Sequence, residues 1–355
     1  MMKVLHRFDG CRPKDSKLAL ACLWWKALSG NDPTSPVHDH QLSYDLLPPI
    51  TRWIVHRRLC RWYPRLHHAN VEIRTAYLDK SVTNVINTIM SDTTSPLSNT
   101  TTMLMTPRKK IRLIVMGGGY DTRSMKLLER SLPLLQNNDT ENSTQQQQQQ
   151  SRRQKQQQPS RPLLKNAFDN STTSNDDYDL ECYELDLPEV VRAKRQLLQT
   201  RLFRRRPWLR EAAVDYPKLI SVNFNNLDDT RRALEEILFV SDNNNMDDDS
   251  LGSVVSTGVN NIILFEGVMI YLDEGIPHSL LELCSNVLSK SNDPSSSSSS
   301  SGYLCFADRL ENIPGGEEDA ANMEMESTGW ELLDWLPKPG LARHMGVARL
   351  KRGEL

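Results

Sequence analysis

Three glycines and two acids, each at the end of an apolar run, are the residues of this chain best spaced to hold a small ligand. Gly117, Gly118 and Gly119 close the run in IRLIVMGGGYDTR (111–123), where Arg112 is the only charge before the loop. A buried strand that ends in glycines and turns into a helix brings backbone N–H groups close to a nucleotide-like ligand, because no Cβ stands in the way. The glycines alone leave the ligand open, since a dinucleotide phosphate would use the same loop.

The first acid, Asp186, ends CYELD and lies 67 residues after Gly119 (186 minus 119). A polar tract at 132–179 accounts for 48 of those. The remainder is close to the roughly twenty residues expected between a glycine loop and an acid that holds ribose hydroxyls. An Asp before Leu-Pro also fits a helix cap. The second acid, Glu266, follows the apolar run at 262–265, where a carboxylate needs either a ligand or nearby backbone as partner. Gly267 beside it permits close approach, and Tyr271 stands one helical turn or one loop further on. Arg74, in RTAYLDKSVTNVI, reads as the start of an amphipathic helix. There it either binds the carboxylate of an amino-acid-like ligand in bidentate fashion or is solvated.

The elements that must carry these residues alternate along the chain. Strands read at 111–116, 180–185, 220–224, 262–265 and 303–307, and helices at 121–129, 189–202, 230–239 and 276–289. TGWELLDWLPKPGLARHMGVARL reads as two closing strands around a Pro-Gly turn, with its last residues completing the domain. The pattern predicts an α/β fold with a doubly wound, mostly parallel seven-stranded sheet. Four polar stretches, at 92–109, 132–179 with its glutamine run, 241–260 and 289–302 with its serine run, hold too little apolar surface to offset chain ordering and are expected to be disordered. Each follows a helix and precedes a strand. They therefore sit at the amino edge of the sheet, away from the carboxyl edge where ligands bind.

At 355 residues and 38% hydrophobic content the chain fits one domain over 1–355, with a helical lid at 1–91 and an α/β core at 110–355. Leu18, Cys22, Trp25 and Leu28 share one helical face, so the lid helix should cover the ligand and line the pocket of a second substrate. A formal charge of −2 implies no strongly basic face, which argues against a nucleic-acid partner. Six scattered cysteines without a CxxC pair read as reduced thiols, and the apolar run at 18–25 is too short to span a bilayer. A cytoplasmic protein with no membrane partner is the expectation. His38-Asp39-His40 and His67-His68 lack helical metal-ligand spacing and read as a turn and a surface pair, so no metal is expected.

Taken in order, five blocks resemble the leucine carboxyl methyltransferase family, a class I S-adenosylmethionine-dependent group. RTAYLD is similar to that family's Arg-x-x-x-(Ile/Leu)-Asp helix, and VMGGGYDTR to its Gly-x-Gly-x-Asp-Thr-Arg loop. YELDLPEVVRAKRQLL is similar to its Glu-x-Asp-x-Pro segment, SVNFNNLDD to the stretch bordering the adenine, and LFEGVMIYL to its Glu-Gly-Val-x-x-Tyr strand end. The resemblance implies a Rossmann-like fold and S-adenosylmethionine as cofactor. Carried over by position, Arg74 would hold the methionyl carboxylate, and Gly117, Gly118 and Gly119 would flank the methionyl part. Asp186 would bind the ribose hydroxyls, and Glu266 would lie against the methionyl amine. Asn223 and Phe224 would border the adenine, where the family often has Asp-Leu. The N-terminal SKLALACLWWKALSG and VHDHQLSYDLLP resemble members that act on small molecules more than those that methylate the C-terminal leucine of phosphatase 2A.

The implied reaction is O-methylation. A carboxylate is the first choice of acceptor, on a small molecule or on a protein C-terminus such as that of the phosphatase 2A catalytic subunit. A carboxylate is already a nucleophile at neutral pH, whereas a hydroxyl acceptor would need a base, for which Tyr77, Asp79 and Tyr271 are the candidates. Two other readings compete. A nicotinamide dehydrogenase is disfavoured because the loop lacks the third glycine of GxGxxG. An inactive cofactor-binding homologue draws support from the Asn223 departure.

Overall fold

A computed structural model of the chain describes residues 14–32, 34–37, 41–56, 65–91, 109–131, 178–212, 216–240, 258–291, 301–310, 317–336 and 344–351. Seven strands, β1 (Lys109–Met116), β2 (Tyr178–Asp186), β3 (Lys218–Ser221), β4 (Val259–Glu266), β5 (Gly302–Asp308), β6 (Trp330–Trp335) and β7 (His344–Leu350), form one sheet in the order β3-β2-β1-β4-β5-β7-β6. The β3-β2-β1-β4-β5 pairs are all parallel, while β7 is antiparallel to both β5 and β6. This is a doubly wound, Rossmann-like sheet.

Both faces of the sheet are covered, which is why its central strands are nearly continuous apolar runs. Leu113 and Val115 of β1 pack on one side with Leu78, Val82 and Ile86 of the helix α4 (Arg65–Ser91). Ile114 and Met116 point the other way, to Leu234 of α8 (Leu227–Glu235) and Leu280 and Cys284 of α9 (Ile276–Ser291). Each such buried side chain contributes roughly 1.5–3 kcal/mol of transfer free energy. Arg112, the one fully buried charge in β1, is matched on the neighbouring strand: its Nε lies 3.2 Å from Glu181, and its guanidinium sits over the Tyr183 ring.

The remaining helices are α1 (Lys14–Gly30), α2 (Gln41–Leu46), α3 (Pro49–His56), α5 (Arg123–Ser131), α6 (Pro188–Leu197), α7 (Pro207–Ala212) and α10 (Glu318–Ser327). α6 runs on through a π-helical turn, Leu198–Leu202, and a last turn, Phe203–Arg205. The lid helix α1 buries Leu20, Leu23, Trp24 and Ala27 in a cluster with Leu42 and Leu46 of α2 and Val190 and Leu197 of α6. The expected face of Cys22 and Trp25 lies beside this one, on a cavity wall, while Leu28 packs partly against the cluster. Among the described residues no helix is long and apolar enough to cross a membrane.

Several element ends differ from the sequence reading. Lys109, Tyr178–Asp179, Val259–Asn260 and Gly302 are strand residues and Ser289–Ser291 belong to α9, although all were assigned to polar tracts. Ladder pairing decides this: Lys109 pairs with Tyr178, Lys110 with Asp179 and Asn261 with Gly302, so the backbone is satisfied whatever the side chain. The rest of the four tracts, the Pro-Gly turn and His38–His40 lie outside the described residues. β3 is Lys218–Ser221, not 220–224, because the chain turns after Val222, whose N–H bonds Asp186 O at 2.8 Å. α5 begins two residues late because Asp121 caps it, and α8 begins three early because Asn226 Oδ1 accepts from the Asp229 N–H at 3.2 Å.

Candidate functional site

At the carboxyl ends of β1, β2 and β4 the chain leaves the sheet and opens a cavity of about 580 Å³, roofed by Cys22, Trp25 and Lys26 of α1. The starts of β1, β2, β4 and β5, which follow the four polar tracts, lie at the opposite edge.

The glycine loop forms the floor. Gly117 and Gly119 have φ of +69° and +50°, a region that L side chains rarely adopt. A Cβ on Gly117 would stand 2.1 Å from Val268 Cγ2, so only glycine lets β1 turn against the loop after β4. Gly118 O accepts from the Asp121 N–H at 2.8 Å, closing the turn into α5.

Asp186 joins this loop to β2. One carboxylate oxygen accepts from the Gly119 N–H at 2.7 Å and the other from the Leu187 N–H at 2.7 Å. It does not cap α6, whose N-cap residue Leu187 makes no side-chain cap bond. Burial pushes its pKa up to about 6, against the two N–H bonds that favour the ionised form.

Glu266 ends β4 among cations. Its Oε1 accepts from Arg74 Nε at 2.9 Å, and its Oε2 lies 3.0 Å from both Lys26 Nζ and Arg123 Nη2. Arg123 continues the network to Asp121 at 2.6 Å and to Asp79 at 2.7 Å, and Lys126 reaches the other Asp79 oxygen at 2.8 Å. Burial opposes ionisation of Glu266, yet Lys26, Arg123 and Arg74 hold its carboxyl well below the usual range. Asp121 is likewise held low, against its own burial, by Arg123 and Lys26. The same logic keeps Arg74 charged: burial disfavours the cation, but Cys22, whose Sγ accepts from Nη2 at 3.2 Å, and Glu266 raise its pKa. Among the described residues Lys26, Arg74, Arg123 and Lys126 thus pair with Asp79, Asp121 and Glu266 in one network.

The structure therefore brings Arg74, Gly117, Gly118, Gly119, Asp186, Asn223, Phe224, Glu266 and Tyr271 to one cavity. Arg74 is not at a helix start; it lies within the 27-residue α4. Asn223 is exposed, with its Oδ1 accepting from the Asn225 N–H at 3.2 Å, while Phe224 is buried. Two base candidates are corrected. Tyr77 turns to the far side of α4, where its hydroxyl donates to Asp334 of β6 at 2.7 Å, and burial together with that bond raises its pKa. Asp79 is buried with both oxygens on Arg123 and Lys126, so it positions Arg123. His68 is no exposed pair member, since its ring bonds Ser29 of α1.

Sequence reading missed Lys26, Asp121, Arg123 and the buried pair of Glu184 and Lys194 beneath the loop. A signal existed for Lys26, the only charge in LALACLWWKAL, and for Glu184, a carboxylate inside the second strand.

No protein-family model matches the chain, and no curated protein matches it. Among solved structures, the pyocyanin biosynthetic protein PhzM is 12% identical over 90% of this chain and 77% of that one, at a TM-score of 0.33. An O-methyltransferase family protein from Burkholderia thailandensis is 9% identical over 90% of this chain and 72% of that one, at 0.33. Fibrillarin from Aeropyrum pernix, solved with natively bound S-adenosyl-L-methionine, is 9% identical over 70% of each chain, at 0.28. The chain covers only 50% of TnmH and 61% of LaPhzM, two further structures it resembles. Likeness at this level says nothing of activity, and it does not place the chain in the leucine carboxyl methyltransferase family.

Proposed function

We propose that the chain is an S-adenosylmethionine-dependent O-methyltransferase. The observation that carries this reading is the meeting of the Gly117–Gly119 loop, Asp186 and the Lys26–Arg74–Glu266 cluster on one cavity of about 580 Å³. Small-ligand sites span roughly 300–1,000 Å³. The residues fit the cofactor part by part. Asp186 spends one lone pair of each oxygen on an N–H, which leaves acceptor capacity for two ribose hydroxyls. Arg74 and Lys26 supply the donors for a methionyl carboxylate. Glu266 has both lone pairs of Oε2 taken by Lys26 and Arg123, so it would meet the methionyl amine through Oε1, which has one close donor, Arg74. Buried Phe224 provides an apolar face for an adenine.

When bound, the cofactor supplies an electrophilic methyl group on a sulfonium. Trp25, Val268 and Leu272 keep water from the reacting atoms, and alignment of the acceptor can supply on the order of 7–11 kcal/mol. A carboxylate is the proposed acceptor, on a small molecule or a protein C-terminus, since it needs only desolvation and alignment. A hydroxyl acceptor is the second reading, favoured by the placement of Tyr271 at the cavity mouth.

Calorimetric titration with S-adenosylhomocysteine beside NAD tests the cofactor. Micromolar binding of the first alone is expected, and NAD binding alone would overturn the reading. Methyl transfer to carboxylates and phenols by Tyr271→Phe then separates the acceptors. Loss of a general base lowers kcat roughly 10²–10⁴-fold, whereas transfer to a carboxylate should change little.

A further inference from the structure

The net charge of −2 conceals a segregated distribution. Residues 49–56 and 201–212, all described, hold six arginines (Arg52, Arg201, Arg204, Arg205, Arg206, Arg210) and one acid, Glu211. The two segments share an apolar cluster, Val55 of the first with Leu202 and Leu209 of the second, and the second is also bonded to the end of α2 and to α5. Arg201 donates to Leu46 O at 3.0 Å, Arg205 donates to Asp45 O, and Arg206 takes the Asp45 carboxylate at 2.7 Å and that of Glu129 as well. Asp45 and Glu129 are thus engaged by a single arginine, while Glu211 adjoins Arg210 in α7. Arg52 of α3 lies over the Tyr44 ring, and its buried Nε has no hydrogen-bond partner among the described residues. Burial first, and then the like charges of Arg52 and Arg201, lower the pKa of Arg205 despite nearby Asp45.

Large apolar side chains stand out from the same two segments. Ile50 and Trp53, three residues apart on one side of α3, are 56% and 55% exposed, and Trp208 of α7 is 42% exposed under the Arg206 guanidinium. Arg204 and Arg210 are exposed beside it. Arginines around an exposed Ile and two Trp match an interfacial surface, in which aromatic and aliphatic tips enter the headgroup layer and guanidiniums bind lipid phosphates. Nucleic acid would use the arginines and the tryptophans but gives an exposed isoleucine nothing to bury against.

We infer that this arginine–tryptophan face docks the protein peripherally on an anionic lipid bilayer. The inference stands apart from the methyltransferase reading, and it revises the expectation drawn from net charge alone.

The test is sedimentation of the full chain with vesicles of phosphatidylserine and phosphatidylcholine in equal parts, beside phosphatidylcholine alone. Binding to the anionic vesicles only is expected, and it should fade with salt, since the Debye length falls to about 3 Å at 1 M. Arg204→Gln and Arg210→Gln should each weaken partitioning about fivefold. Trp53→Phe should abolish part of the quenching of tryptophan fluorescence by brominated lipid. All three sites are exposed, so thermal melting should be unchanged, and this keeps a binding loss distinct from misfolding. Equal binding to neutral vesicles, or none to either, would overturn the proposal. So would RNA binding or self-association that the same substitutions abolish in the absence of lipid binding.

Discussion

Glu266→Gln removes one negative charge while keeping shape, and the structure fixes how much that should cost. The side chains of Glu266, Arg74, Lys26 and Arg123 are 7%, 7%, 5% and 2% exposed. Taking one partner from a buried ion cluster leaves charge with no compensation, which costs roughly 3–5 kcal/mol. At roughly 2–4 °C per kcal/mol for a domain of 150–250 residues, Tm should fall by at least about 6 °C. Glu331→Gln is the matched control. It breaks a 2.7 Å pair with Arg349 in which both side chains are about half exposed (48% and 47%), so it should cost no more than about 1 kcal/mol. Urea unfolding of both variants measures the difference at constant m. The pH dependence adds a sign. Glu266 is held below its ordinary 4.5, so its stabilisation is complete above that value and is lost as pH falls through its lower folded-state pKa. The gap between wild type and Glu266→Gln should therefore close on acidification. Equal losses in the two variants, or a gap that does not depend on pH, would refute the idea that one carboxylate ties α1, α4 and α5 to the end of β4.

Asp186→Ala should weaken S-adenosylhomocysteine binding by about 1–3 kcal/mol, the scale for a hydrogen bond to a charged group, as read by calorimetry. Because Asp186 titrates near 6, its hydroxyl-accepting form is depleted below that pH; wild-type affinity should drop from pH 7 to 5 while that of Asp186→Asn stays flat. The same raised pKa works against stability at neutral pH: its contribution is full below the ordinary 3.8 and is lost as pH rises through about 6. Gly117→Ala should abolish cofactor binding, because the new Cβ would stand 2.1 Å from Val268 Cγ2 and 2.7 Å from Val268 Cβ. Adding Val268→Ala keeps that Cβ and should not restore binding, and the positive φ alone should cost about 1–2 kcal/mol in stability. Tyr77→Phe should cost about 1 kcal/mol for the lost bond to Asp334 and leave cofactor affinity unchanged; a weakened affinity would return Tyr77 to the site.

The alternation of strands and helices was legible because the sheet is covered on both faces. Leu113 and Ile114 face opposite helices, so each must be apolar, and the run needs no tertiary knowledge to be read. Asp186 was legible because its partners are local to the βαβ unit. What was not legible is pairing across distance: Lys26 meets Glu266 across 240 positions, and no periodicity in either segment announces the other. Helical phase explains the errors in the RTAYLD block. At about 100° per residue, Thr75 and Asp79 share a side of α4 that faces Glu266 and Arg123, whereas Tyr77 is turned well away toward β6. Proximity in sequence to Arg74 was a poor guide to proximity in space.

Charge makes the same point at two scales. A whole-chain sum of −2 is compatible with a buried cluster of cations and carboxylates, and equally with arginine-bearing segments that expose Ile50 and Trp53. The two differ in what screens them. The cluster is dry, so its pairing energy persists in salt and removal of one member is expensive. Arg204 and Arg210 are exposed, so their attraction for an anion depends on ionic strength and on each residue almost independently. A salt titration therefore separates them in one protein: S-adenosylhomocysteine affinity, set inside the cluster, should barely move over a range that releases the chain from anionic vesicles. If both fell together, the cluster would be open to solvent and the assignment of Arg74 and Lys26 to a desolvated carboxylate site would fail.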